Sequence, residues 1–119
     1  MTQNTKNTLA EIRETLQSGQ KALAAAYLAR PDHKGYLAGR SQLVDGMLER
    51  LWTQAKLPKS AALIAVGGYG RNELYPHSDI DVLIALESST TPEVESALER
   101  LVSQFWDIGL AVGHSVRTI

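Results

Sequence analysis

The sequence predicts an α/β (α+β) domain in which N-terminal helices precede a small mixed sheet with a strand–glycine loop–strand–helix–strand core. Three observations predict it. Apolar residues keep helical spacing through the first half, at Leu9, Ile12, Leu16, Leu23 and Tyr27 and again at Leu37, Leu43, Met47, Leu48, Leu51 and Trp52. After residue 60 the pattern changes to two short continuous apolar runs, 61–66 and 80–86, with a glycine-rich stretch between them. A helical stripe then returns at Val94, Leu98, Leu101, Val102 and Phe105, ahead of a final strand-like run at 110–119.

Taken in order, the first helix has Thr8 and Glu11 as a capping pair. Pro31-Asp32 through Gly35 reads as a break, and the second helix runs from there to just before Pro58. Ala61 to Val66 fits a strand buried on both faces, although periodicity alone leaves a short helix open; Gly67-Gly68 stops it. Ile80 to Leu86 is rich in branched residues and reads as the second strand. Thr91-Pro92-Glu93 resembles a helix start, with proline in the first turn. Leu110 to Ile119 supplies the third strand. Tyr27, Tyr36, Trp52 and Trp106 are read as core or partial-core aromatics, His77 as a solvated loop residue and His114 as a structural histidine. The chain stops while still in strand-like sequence, so the expectation is a fragment of something longer.

Composition narrows the function. In 119 residues, 44% hydrophobic, there is room for one core, and the apolar content argues against disorder. There is no cysteine, which excludes disulfide frameworks, thiolate metal sites and thiol nucleophiles and is compatible with the expected cytoplasmic location. No apolar stretch approaches the ~20 residues of a membrane helix, so no membrane partner is expected. A net charge of −1 gives no support to nucleic-acid binding. The charge is nonetheless uneven. Residues 1–60 carry nine Lys/Arg against five Asp/Glu, and residues 61–119 carry three against eight. Most of this is solvated surface, but a local acidic centre in the second half is suited to a cation.

That centre lies in the stretch from Gly67-Gly68-Tyr69-Gly70-Arg71 to Ser78-Asp79-Ile80-Asp81. A glycine pair lets backbone approach a ligand and aim amide N–H groups at it. Asp79 and Asp81, at the start of a strand, project to one face, and two such carboxylates repel unless a cation joins them. Oxygen ligands of this kind suit Mg²⁺, held by carboxylates together with substrate phosphates. A Walker loop is excluded because no Lys-Ser/Thr follows the last glycine, and a dinucleotide fingerprint fails at Glu73. Phosphate loop and acidic pair together imply handling of a nucleoside triphosphate.

The spacing from Val66-Gly67-Gly68 to Asp79-Ile80-Asp81-Val82 resembles the signature of the DNA-polymerase-β-like nucleotidyltransferase superfamily. Within it, Val66-Gly67-Gly68-Tyr69-Gly70-Arg71, Glu73-Leu74, Pro76, Ser78-Asp79-Ile80-Asp81, Trp106-Asp107-Ile108-Gly109-Leu110 and Gly113-His114-Ser115-Val116-Arg117-Thr118 are similar to the bacterial bifunctional uridylyltransferase/uridylyl-removing enzymes, which modify the PII signal protein in nitrogen regulation. The resemblance runs from about residue 30 to the end. It implies a helical extension over 1–30 and a partial nucleotidyltransferase domain over 31–119.

The resemblance further implies transfer of UMP from UTP to a PII tyrosine with release of pyrophosphate, dependent on Mg²⁺ or Mn²⁺. Asp79 and Asp81 become the metal-binding catalytic pair, and Gly67, Gly68, Arg71 and Ser78 the triphosphate contacts. A salt bridge from Arg71 to Glu73 or Asp79 is the other reading of that arginine. The superfamily's third carboxylate has no convincing counterpart here and is expected past Ile119. Uridylyl removal in this family belongs to an HD-type metal domain and glutamine sensing to ACT domains. His33, His77 and His114 precede Lys, Ser and Ser, so both activities are expected outside this chain. The rival readings are an adenylyltransferase-type enzyme using ATP and a non-catalytic nucleotide-binding regulatory module.

Overall fold

The computed structural model of the chain describes residues 8–71, 80–87 and 90–118. Its elements follow in the order α1 (Leu9–Ala29), α2 (His33–Ala55), β1 (Ala62–Val66), α3 (Gly67–Gly70), β2 (Ile80–Leu86), α4 (Pro92–Asp107) and β3 (Val112–Thr118). This is the expected α+β arrangement, and the sheet is mixed: β1 pairs antiparallel and β3 parallel with the central β2.

Local chemistry sets the helix ends. The Thr8 hydroxyl accepts from the Glu11 N–H at 3.2 Å and donates to Glu11 Oε1 at 2.8 Å, so the two residues satisfy each other. Thr91 caps α4 by accepting from the Val94 N–H at 3.2 Å, with Pro92 placed where its missing N–H costs nothing. The break expected through Gly35 is shorter than that. Asp32 caps α2 by accepting from the Gly35 N–H at 3.1 Å, and the helix already starts at His33. A side-chain cap outweighs the breaker character of one glycine in a first turn.

The molecule is 19 Å thick along its shortest axis, the depth of one helix layer on one sheet. Ile12 and Leu16 of α1, Val44, Met47, Leu48 and Leu51 of α2, and Leu101 and Phe105 of α4 share a core with Ile80 and Val82 of β2. A smaller cluster of Ile84, Leu86 and Leu98 continues along the sheet, and Trp52 packs against both. Among the described strands only β2 has neighbours on both sides, and its alternation puts Ile80, Val82 and Ile84 into the core while Asp81 faces out.

Three sequence expectations are corrected. β1 is an edge strand, not one buried on both faces, and Ile64 is 41% exposed. Trp106 is 58% exposed on α4, to one side of the stripe formed by Leu98, Leu101 and Phe105. β3 is exposed after Val112, and His114 lies at the surface, not in an apolar strand. Each reflects position in the sheet or on the helix, which a short apolar run does not encode.

Ser41 occupies the same α2 face as Val44, Leu48 and Leu51 and is wholly buried, and its hydroxyl has no hydrogen-bond partner among the described residues. A buried hydroxyl without a partner is destabilising relative to a methyl group. Ser41→Ala is therefore expected to stabilise the fold by about 1 kcal/mol, read as a higher urea midpoint with an unchanged slope.

Candidate functional site

The mixed pairing brings three chain segments to one end of the sheet. Because β1 runs against β2, its last residue, Val66, lies opposite Asp81. Because β3 runs with β2, Gly113 lies opposite the other side of Asp81. The exposed carboxylate of Asp81 thus sits on the central strand between the glycine turn and β3.

Among the described residues, two glycines flank its carboxylate. A Cβ at Gly67 would stand 3.1 Å from Asp81 Oδ2, and one at Gly113 would stand 3.0 Å from Asp81 Oδ1. Each carboxylate oxygen is flanked by a glycine, and a methyl group at either position would crowd it. Gly67 has the further requirement of a left-handed backbone, φ +65°, where the strand turns sharply into α3. Asp81 is exposed between these glycines, and an oxygen-only donor of this kind suits a hard divalent cation.

Gly67, Gly68 and Asp81 are therefore brought together as the sequence suggests. Arg71 closes the turn, its backbone N–H donating to the Gly68 carbonyl at 3.1 Å, and its side chain is exposed at the mouth of the same loop. Asp79 and Ser78 lie outside the described residues. Gly113 was missed as a site residue; the available signal was a glycine within a strand, which marks close approach of another group.

Tyr69 is the one side chain of α3, and it turns away from Asp81 into the core, 5% exposed. Its hydroxyl donates to Asp45 Oδ1 on α2. Burial pushes its phenol well above the usual tyrosine range, and the hydrogen bond to Asp45, the charge of Asp45 and the charge of Glu49 push the same way. Tyr69 therefore packs under the loop as part of the main core. A groove of about 420 Å³ lies beside it on the helix side of the sheet, lined by Asp45, Glu49, Trp52, Leu63, Tyr69 and Val82. Val82 and Asp81 point to opposite faces, so this groove is separate from the Asp81 carboxylate.

A strand, a glycine turn and an acidic strand start define a nucleotidyltransferase domain, and a family model of that description matches residues 48–113. Among curated proteins, the bifunctional uridylyltransferase/uridylyl-removing enzyme of Thiobacillus denitrificans is 47% identical over 92% of the chain. Those of Aromatoleum aromaticum and Chromobacterium violaceum are 40% and 46% identical over 93% and 90%. The chain belongs to the nucleotidyltransferase domain family, and it is similar to one part of the bifunctional uridylyltransferase/uridylyl-removing enzymes. It spans 12–13% of the length of these relatives. No solved structure matches it. No helix among the described residues is long and apolar enough to cross a membrane.

Two stability measurements check this geometry. Gly67→Ala forces a side chain into a left-handed conformation and is expected to cost about 1–2 kcal/mol, whereas Gly113→Ala, in a strand, is expected to change stability by less than about 1 kcal/mol; urea unfolding separates them. The second concerns pH. The unfolded chain releases the Tyr69 proton near ~10, while the folded chain holds it to higher pH. Above that point the unfolded state binds fewer protons, so stability is complete below pH ~10 and falls as pH rises. Between pH 8 and pH 11 the wild-type urea midpoint is expected to drop further than that of Tyr69→Phe.

Proposed function

We propose that the domain transfers UMP from UTP to a tyrosine hydroxyl of the PII signal protein, releasing pyrophosphate, with Mg²⁺ or Mn²⁺ held by Asp79 and Asp81. The observation that carries this reading is the Asp81 carboxylate, open to solvent between Gly67 and Gly113 and beside the glycine turn. The name of the relatives supports uridylyl as the group transferred.

In the reaction, the tyrosine oxygen attacks the α-phosphorus of UTP in line with the bond to the β-phosphate. An O–P bond forms, the α–β bridging bond breaks, and pyrophosphate leaves with the electron pair. The attacking hydroxyl, with an ordinary pKa of ~10, releases its proton to solvent water as the O–P bond forms. A divalent ion, when bound, neutralises the triphosphate and stabilises charge gathering on the α-phosphoryl group. The Gly67 and Gly68 amides face the outer phosphates, where the lack of side chains permits close approach. Ser78 adds a hydroxyl contact and Arg71 a guanidinium suited to a phosphate oxygen pair. Asp81 stands on a rigid central strand, so its position does not have to be organised during the reaction.

The test is to incubate the intact protein with PII, Mg²⁺ and α-labelled UTP or ATP. Label on PII from UTP is expected; label from ATP alone overturns the uridylyl assignment in favour of adenylyl transfer. Calorimetry showing no Mg²⁺- or Mn²⁺-linked binding of either triphosphate overturns the triphosphate site itself. Asp79→Asn and Asp81→Asn are each expected to lower transfer at least about 100-fold with an unchanged circular dichroism spectrum. Gly68→Val is expected to weaken UTP binding by filling space the phosphates approach. Near-normal rates in either aspartate variant would refute the metal role.

A further inference from the structure

The glycine turn has almost nothing of its own to hold it in place. α3 is a single turn of sequence Gly67-Gly68-Tyr69-Gly70. One helical turn is far below the length that is stable alone, and glycine loses more backbone freedom on ordering than any other residue. Three of its four residues offer no side chain to the rest of the molecule. Tyr69 is the single exception, and it makes two kinds of attachment. Its ring belongs to the main core with Val82 and Leu48. Its hydroxyl reaches beyond that core to the carboxylate of Asp45, 24 residues earlier on α2.

The ring alone would fix the turn by shape, leaving rotation and sliding limited only by packing. The hydrogen bond adds direction, since a phenol donating to a carboxylate is charge-assisted and stronger than a neutral pair. Its donor is constant across the working pH range, because the buried phenol keeps its proton. α2 is itself anchored by Val44, Met47, Leu48 and Leu51, which bracket Asp45 in sequence. The turn is thus tied to a rigid helix on the side of the sheet opposite Asp81.

We propose that Asp45 and Tyr69 are positioning residues, whose hydrogen bond fixes the Gly67–Gly70 turn to α2 and thereby sets where the Gly67 and Gly68 amides stand relative to Asp81. The inference rests on the nucleotide-site reading above for its kinetic consequence, but the tether itself is a property of the fold. Neither residue touches the reacting atoms. Loosening the turn reduces the fraction of molecules that present both amides and the carboxylate together, so it weakens capture of the triphosphate more than it slows the chemistry.

The experiment uses the intact protein with PII, Mg²⁺ and UTP, and compares Asp45→Ala, Tyr69→Phe, the double variant, Asp45→Asn and, as a control on the site, Asp81→Asn. Asp45→Ala and Tyr69→Phe are each expected to raise KM for UTP by roughly tenfold with kcat changed less than about threefold. The double variant should be no worse than either single, because both remove the same bond. Asp45→Asn keeps an acceptor oxygen and should restore most of the loss. Amide hydrogen exchange at residues 67–71 should speed up in the two single variants and return towards wild type in Asp45→Asn. Unchanged exchange overturns the tether. Faster exchange with an unchanged KM, or multiplicative losses in the double variant, overturns the positioning role. Retained transfer in Asp81→Asn instead overturns the site reading and leaves the exchange result to judge the tether on its own.

Discussion

The arrangement rests on one constraint: a carboxylate on a central strand stays exposed while strands pair on both sides of it. Side chains on neighbouring strands stand close enough to cover such a group. Here glycines stand closest to the two oxygens, Gly67 at one and Gly113 at the other. A paired strand thereby supplies rigidity without burying its functional group.

The remainder of the fold serves that strand. Alternation along β2 sends Ile80, Val82 and Ile84 into the helix-covered core and leaves Asp81 on the other face between two of them. The same side chains that stabilise the domain by burial therefore fix the height and direction of the carboxylate. A large-to-small change at Val82 would loosen the strand as well as the core. The division between faces also separates two tasks. The helix side holds the groove with Tyr69 and Asp45, and the open side presents Asp81. The glycine turn wraps the end of the sheet and joins them.

Much of this was legible from the residues alone where the signals are local. Thr8 with Glu11, and Thr91 with Pro92, mark helix starts through side chain-to-backbone bonds made within four residues. The branched run at 80–86 gave its strand with both ends in place. The glycine pair and Asp81 were recognisable because turn chemistry and strand alternation are short-range rules. The misses are all long-range or competitive. Gly35 looked like a breaker until the Asp32 cap prevailed, and β1 reads as doubly buried although its place at the sheet edge is decided elsewhere. Asp45 carries no local signal whatever. It is one of several acids on a helix surface, and only the tertiary fold brings it to Tyr69. The match of Gly113 with Asp81 is of the same kind, since it depends on strand register across the α4 crossover.

That crossover has a consequence for how the domain comes into being. Val66 and Asp81 are 15 residues apart and meet when a hairpin closes, whereas Asp81 and Gly113 are 32 apart and meet only after α4 has packed and β3 has docked in parallel. Local pairings form early in folding and long-range parallel ones late. A half-folded chain would own the turn and the carboxylate but not the second glycine wall. If the proposed function holds, nucleotide capture would mature with the last strand to join, so that ligand affinity during refolding would be a clock for completion of the sheet.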